Sequence, residues 1–207
     1  QFVEQIFVDG LGAQYLAFGD DFHFGNQREG DLEYVRALSD EFGYAVAPTA
    51  TLEAAGERVS STRIRAALDA GDFDDAARLL GRPFELAGRV QHGQKLGRQL
   101  DAPTANIALH RIRSPLQGVY AVSVWGGGLE GAQGVANVGV RPTIGERLEA
   151  TLEVHILQGS PDLYGERLTV RFRHKLREEQ KFPSLEALKA GIKADKANAS
   201  AWLNAHG

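Results

Sequence analysis

The pattern of the chain changes at Pro83, and no other feature limits the fold so strongly. Beyond it come short runs of alternating or β-branched residues at Phe84–Gln91, Gly118–Val124, Gly134–Val140, Thr151–Leu157 and Arg167–Arg173. Turns such as Gly126-Gly127-Gly128 and Ser160-Pro161-Asp162 separate them, with no helical period between. Short strands so spaced predict a mainly antiparallel sandwich or closed barrel. From Ser184 to Leu203 the period becomes helical, through Leu185, Leu188, Ile192 and Trp202. Pro183 and Ser184 suit the start of that C-terminal helix.

Before Pro83 the rhythm is helix and strand in alternation. Phe2 to Asp9 reads as helix and Tyr15 to Phe18 as a short strand ending at Gly19. Asp31 can cap a helix carrying Leu32, Val35, Leu38 and Phe42, stopped by Gly43; Tyr44 to Ala47 is a second strand. Ser60 or Ser61 can cap a helix through Ile64, Ala67 and Leu68 that Gly71 ends, and Asp74 to Leu80 forms another, ended by Gly81. The alternation predicts a parallel α/β layer, yet two strands are too few to make one. Residues 1–82 are therefore expected to be the remnant of a larger α/β domain, and residues 83–207 a second domain. The chain has no methionine, even at position 1, where Gln1 stands, which agrees with a fragment or a processed product.

Charge divides at the same place. Residues 1–82 hold 15 acids against 7 arginines and no lysine, a balance of −8, while residues 83–207 hold 12 acids against 16 bases, a balance of +4. A basic half favours phosphates, on a nucleotide or a nucleic acid, and equally describes a solvated surface. Cysteine is absent, which excludes disulfides, thiolate metal sites and a thiol nucleophile. The six histidines show no metal-ligand spacing.

Three segments carry more small and polar residues than folding asks for. Gly19-Asp20-Asp21-Phe22-His23-Phe24-Gly25 follows a strand end, where ligands of open parallel sheets sit; it also reads as an ordinary turn. Ser60-Ser61-Thr62-Arg63-Ile64-Arg65 opens a helix, so its free N–H groups, hydroxyls and arginines suit a phosphate as well as a plain cap. The richest joins Gly88, Gly93, Lys95, Gly97 and Arg98 to Pro103-Thr104-Ala105-Asn106. Glycines with interleaved cations let backbone amides approach a polyphosphate, and Thr104 and Asn106 offer oxygen ligands that Mg²⁺ accepts. Two hairpin turns would look similar, and no GxxxxGK[ST] motif occurs. In Thr151–Leu157, Leu152, Val154 and Ile156 share one face while Glu153, His155 and Leu157 share the other, so Glu153 is either a rigidly held base or part of a solvated face.

Taken in order, these segments resemble the bacterial bifunctional riboflavin kinase/FMN adenylyltransferases, or FAD synthetases. The marks are GDDFHFG at 19–25, SSTRIR at 60–65, LLGRPF at 79–84, GRVQHGQKLGR at 88–98 and PTAN at 103–106. They continue with GVYAV at 118–122, NVGVRPT at 137–143, LEVHI at 152–156, DLYG at 162–165 and LREEQKF at 176–182. The resemblance implies a nucleotidyltransferase-like, Rossmann-like α/β domain followed by a riboflavin kinase β-barrel with a C-terminal helix. It implies phosphorylation of riboflavin by ATP to give FMN, then adenylylation of FMN to FAD.

By the same resemblance, Thr104 and Asn106 hold Mg²⁺, the loop with Gly88, Gly93, Lys95, Gly97, Arg98 and Pro103 covers ATP, Glu153 is the general base, and Arg177 lies on the flavin side. Asp21 is expected near the flavin of the second reaction, and Ser61, Thr62 and Arg65 on the phosphates of its ATP. The substrates implied are riboflavin, FMN and ATP, with apoproteins of flavoenzymes as recipients; neither nucleic acid nor a membrane is expected, and the cytoplasm is the expected compartment. The family's glycine- and histidine-bearing ATP loop of GxFDGxHxGH type is absent, so this chain alone is expected not to make FAD. Asp101-Ala102 stands where Gly-Phe usually precedes PTAN, placing a negative charge near the triphosphate. Rival readings are a flavin- or nucleotide-binding module without catalysis and a nucleic-acid-binding barrel, the latter weakened by the lack of an aromatic-rich basic stripe.

Overall fold

The computed structural model describes residues 2–92, 104–109, 114–142 and 148–206, and these fall into two compact units, Gln1–Val59 and Ser60–Gly207. In the first unit a π-helical segment, Val3–Gly10, leads to strand β1 (Tyr15–Gly19). Helix α1 (Leu32–Ala37) starts where the Asp31 carboxylate accepts the Tyr34 N–H at 2.8 Å. A short α2 (Ser39–Phe42) ends at Gly43, whose φ of 71° is costly for any residue with a Cβ. Strand β2 (Ala45–Thr49) then pairs in parallel with β1, from Tyr15↔Ala45 to Gly19↔Thr49. A two-residue hairpin, β3 (Glu53–Ala54) and β4 (Glu57–Arg58), completes the unit.

The core of this unit is small. Val3, Leu16, Val35 and Tyr44 are buried, with Phe7, Phe18, Phe24, Phe42 and Val46 packed against them. The Tyr44 hydroxyl donates to the Val35 carbonyl at 2.7 Å, which satisfies the one polar atom placed among these apolar groups. Leu11, Tyr15 and Leu52 remain more than 60% exposed.

The second unit opens with α3 (Ser61–Ala70), capped by Ser60 accepting the Arg63 N–H, and α4 (Phe73–Leu80), capped by Asp72 accepting the Asp75 N–H at 2.9 Å. Six strands follow: β5 (Glu85–Gln91), β6 (Ala105–Ala108), β7 (Gly118–Gly126), β8 (Leu129–Pro142), β9 (Leu148–Ile156) and β10 (Arg167–Arg177). They close into a barrel in the order β10-β5-β6-β9-β8-β7, antiparallel at every seam. Closure leaves no strand edge unpaired around the ring. Five of these strands coincide with the runs expected from the sequence. The sixth, β6, has four residues, too few to show a period of its own.

Alternation decides what the barrel encloses. On β5 every second residue is buried, and Leu86, Val90, Ile107, Tyr120, Val122, Val124, Ala136, Val138, Leu152, Val154, Leu168, Val170 and Phe172 fill the interior. Gly88 faces inward as well: a Cβ there would lie 2.4 Å from the Ala108 carbonyl oxygen and 2.7 Å from Ile107 Cγ2. Its glycine is thus needed to bring β5 and β6 together. The expected Gly126-Gly127-Gly128 turn is a two-residue hairpin between β7 and β8, with Gly127 and Gly128 at φ of 60° and 81°.

Ala67, Leu68, Phe73 and Ala76 of α3 and α4 belong to the barrel's own core. The Phe73 ring packs on Tyr120 and Phe172 at centroid distances of 5.9 and 6.1 Å. Compact packing therefore divides the chain after Val59, whereas the sequence suggested a boundary after Arg82. The reason is that both helices turn their apolar stripe onto the barrel.

Helix α5 (Leu185–His206) begins where Ser184 Oγ accepts the Ala187 N–H at 3.2 Å. Its Ala199 and Leu203 cover Ala121, with Val135, Leu157, Leu176 and Trp202 around them. The outer barrel wall is thus apolar where α5 lies on it. No helix among the described residues is long and apolar enough to cross a membrane.

Candidate functional site

Strand period and register bring together residues far apart in the sequence. Ile107 points into the barrel, so Asn106 on β6 points out. Leu152 and Val154 point in, so Glu153 on β9 points out; Ala136 and Val138 do the same for Asn137 on β8. Asn106 pairs directly with Glu153, and Glu153 with Asn137. Residues so paired hold their Cβ atoms about 4.5–5.5 Å apart on one face. The row continues to exposed Gln91 on β5 in one direction and, in the other, through buried Val119 on β7 to Arg177 on β10. Asn106, Glu153 and Asn137 are all half-buried.

Thr104 immediately precedes β6 and is also half-buried. The Asn106 side-chain amide donates to the Thr104 carbonyl at 3.5 Å, a long bond. The Thr104 hydroxyl and the Asn106 amide oxygen are hard neutral donors beside a carboxylate, a set that fits Mg²⁺ when phosphates and water complete its shell. Among the described residues no group of three or more His, Cys, Asp or Glu side chains is arranged for a metal.

Arg177, at the far end of the row, is committed to the protein. Its Nε and Nη2 donate to the two carboxylate oxygens of Asp195 at 2.8 and 2.7 Å, and Nη1 donates to the Glu178 carbonyl at 2.9 Å. The guanidinium also sits 5.4 Å from the centre of the Phe182 ring. Asp195, on α5, is only 6% exposed, and burial with a bidentate partner makes this a firm tie between β10 and the helix. Arg177 thus shapes the segment leading into α5.

Two residues along β8 from Asn137, on the same face, Gly139 lies under the Glu179 carboxylate. A Cβ at Gly139 would come within 2.7 Å of Glu179 Oε1. Gln117 Nε2 donates to Glu179 Oε2 at 3.5 Å, and a cavity of about 190 Å³ is lined by Ser114, Leu116, Gln117, Gly139 and Val140. Asn137, Gly139, Gln117 and Glu179 were not among the residues singled out from sequence. Asn137 and Gly139 lay within a recognised segment, NVGVRPT, and an asparagine between inward-facing apolar residues of a strand was the available signal.

The remaining expected residues are dispersed. Ser61, Thr62 and Arg65 are exposed on the first turns of α3, in the second unit. Asp21 is in the first unit, where it forms an ion pair with Arg58 at 2.5 Å, and its backbone carbonyl is 2.9 Å from His23 Nδ1. The phenylalanines of that loop are stacked, Phe18 on Phe22 at 4.2 Å and Phe22 on Phe24 at 5.4 Å. Gly88 faces the barrel interior, opposite to Asn106. Gly93, Lys95, Gly97, Arg98 and Pro103 lie outside the described residues, as do Asp101 and Ala102. At the edge of that gap His92 stacks on Tyr164 at 4.3 Å, while the Gly165 N–H donates to the Val90 carbonyl at 3.1 Å, so the DLYG segment is fixed to the end of β5.

Burial perturbs two tyrosines away from the row. Tyr120, inside the barrel, has its hydroxyl pushed up to about 12 by desolvation, partly offset by its 2.7 Å bond to the Gln117 carbonyl. Tyr44 is raised by burial, with a smaller contribution from Tyr34.

Residues 80–203 match the riboflavin kinase family model, and residues 1–63 match that of FAD synthetase. A Pseudomonas fluorescens protein named bifunctional riboflavin kinase/FMN adenylyltransferase is 57% identical over 203 residues, covering 97% of this chain and 64% of its own length. A Haemophilus influenzae protein of the same name is 45% identical, covering 98% of this chain and 66% of its own length. The chain thus spans just under two thirds of these relatives. A solved structure from Streptococcus pneumoniae, described as a macrolide-efflux protein, superposes with a TM-score of 0.64 at 32% identity, over 96% of this chain and 64% of that one. The likeness is one of fold and sequence, and efflux is said of that protein alone.

Proposed function

The chain belongs to the riboflavin kinase family, and from that premise we propose that its barrel transfers the γ-phosphoryl group of ATP to the 5′-hydroxyl of riboflavin, yielding FMN and ADP. The observation that carries this reading is the direct pairing of Asn106 with Glu153 across β6 and β9, with Thr104 alongside. Phosphoryl transfer asks a protein chiefly for positioning and for neutralisation of charge on the phosphates. A rigid strand pair supplies the first.

In this reading Glu153 accepts a hydrogen bond from the ribityl 5′-hydroxyl and aligns its oxygen with the γ-phosphorus. As the new O–P bond forms and the bond to the β-phosphate oxygen breaks, the hydroxyl proton passes to Glu153 and then to water. A primary alcohol is far less acidic than a carboxylic acid, so that transfer comes late and orientation is the larger share of the work; a general base contributes about 10²–10⁴-fold. Thr104 and Asn106 would hold Mg²⁺, which when bound would draw charge from the phosphate oxygens. The glycine and cation loop with Gly93, Lys95, Gly97, Arg98 and Pro103 is assigned to the nucleotide. Arg177 is assigned to the flavin side through the segment that it anchors to Asp195.

The wider protein is read the same way. The match of residues 1–63 supports a role for Asp21 near a flavin, and the exposed hydroxyls and arginine on the first turns of α3 support phosphate contacts for Ser61, Thr62 and Arg65, both in adenylylation of FMN to FAD. Riboflavin, FMN and ATP are then its small-molecule substrates, flavoenzyme apoproteins the recipients of product, and the ATP-rich cytoplasm its place of work.

The test is incubation of the 207-residue chain with riboflavin, ATP and Mg²⁺, followed by chromatographic separation of flavins. FMN formation is expected, with Asn106→Ala requiring more Mg²⁺ for half-maximal rate. Riboflavin bound but never converted would overturn the reading in favour of a binding module.

A further inference from the structure

We infer that Asn137 is a positioning residue for Glu153, a role that rests on Glu153 being the base proposed above. Three features of the barrel lead to it. Asn137 sits in the interior of a fourteen-residue strand, between Ala136 and Val138, both fully buried. Asparagine is disfavoured there, because its side chain competes for backbone hydrogen bonds and packs poorly on a pleated surface. A half-buried amide in such a place needs polar company. The register supplies it: Asn137 is paired directly with Glu153, on the side away from Asn106.

The position along β8 is also informative. Val135, two residues earlier on the same face, packs under α5 with Ala199 and Leu203. Gly139, two residues later, lies under Glu179. Asn137 therefore marks the point where the apolar cover of α5 gives way to an open polar face. Glu153 changes character at the same row, since its strand neighbour His155 is buried and Thr151 is half-buried.

An amide next to a carboxylate can donate one N–H to one of its oxygens. That would fix the carboxylate plane for the incoming hydroxyl. Among the described residues, the charged and titratable groups near this row include His155 on the same strand, Glu179 over Gly139 and the Arg177–Asp195 pair beyond Val119. Asn106 and Asn137 are the direct flanks. Glu153 is thus flanked across both neighbouring strands by residues with amide side chains.

The experiment is a double-mutant cycle on the full chain, read as FMN formation at saturating Mg²⁺. Asn137→Ala should lower kcat by about 10- to 100-fold, with the KM for ATP changed less than about threefold, as befits loss of orientation at the reacting group. In the Glu153→Gln background the same substitution should have no further effect, because residues acting through one another are not additive. Asn137→Asp, nearly the same shape, tests the idea without disturbing packing. Its carboxylate cannot donate to Glu153, so Asn137→Asp should lower kcat about as far as Asn137→Ala does, with the KM for ATP again changed less than about threefold. Equal losses from Asn137→Ala in both backgrounds, or wild-type kcat for Asn137→Asp, would overturn the inference. If instead Glu153→Gln alone turned over like wild type, the base assignment itself would fail, which the same data set distinguishes.

Discussion

The two compact units solve the problem of a core in opposite ways. Among the described residues the barrel unit buries 22 in one cluster and closes its sheet on itself, while the first unit buries four around a parallel pair of strands. A closed ring satisfies its backbone within itself and gives every outward position a fixed neighbour on the next strand. A two-stranded parallel sheet has two open edges and takes its order from aromatic packing and helix caps. The barrel is therefore the part able to hold side chains from separate strands in a precise row, and the candidate site lies there.

That contrast can be broken by substitution, beginning with the largest effect. Phe73→Ala removes a ring shared between α4 and the barrel core and should cost about 3–5 kcal/mol, measured by denaturant unfolding. If the loss were near 1 kcal/mol, α4 would not be part of that core. Gly88→Ala forces a methyl to within 2.4 Å of the Ala108 carbonyl and should cost about 1–3 kcal/mol by overpacking, with lower FMN formation because β6 carries Asn106. Tyr44→Phe in the first unit deletes the bond to the Val35 carbonyl and should cost about 1 kcal/mol. Amide hydrogen exchange should show the Tyr44→Phe loss confined to residues 1–59 and the Phe73→Ala loss confined to the barrel unit.

Alkaline pH sharpens the same comparison more gently. The Tyr120 hydroxyl is held at about 12 in the folded barrel against an ordinary value of 10. A raised value means that the folded state favours the protonated form. Its contribution to stability is whole below pH 10 and is lost as pH rises from there through 12. Tyr120→Phe should remove this part of the alkaline decline; an unchanged slope between pH 10 and 12 would assign the decline to other groups.

Much of the local structure was legible in the sequence because it is set by single residues. Asp31 caps a helix as expected and Ser60, one of two expected candidates, caps α3; Gly43, Gly71 and Gly81 end helices with φ of 71°, 76° and 70°, although the helix expected from Asp31 to Gly43 is divided into α1 and α2. Five strands could be read from their alternation. What could not be read is long-range pairing. Asn106 and Glu153 are 47 positions apart, and only barrel closure makes them neighbours. For the same reason Asn137 stayed inside a motif without a role of its own, and Arg177 could not be seen as the bidentate partner of Asp195. Gly88 looked like part of a phosphate loop because a glycine required by close backbone packing and one required by a ligand are identical in sequence. The division after Val59 was hidden because the apolar stripes of α3 and α4 do not say which core they fill.

The most direct test of the account is the turnover of Glu153→Gln against the wild-type chain, with ATP and riboflavin binding measured in parallel. The account predicts that both substrates still bind within a few-fold of wild type while FMN formation falls by about 10²-fold or more. Turnover within a few-fold of wild type, with binding intact, would contradict it and remove the Asn106–Glu153 row from the chemistry.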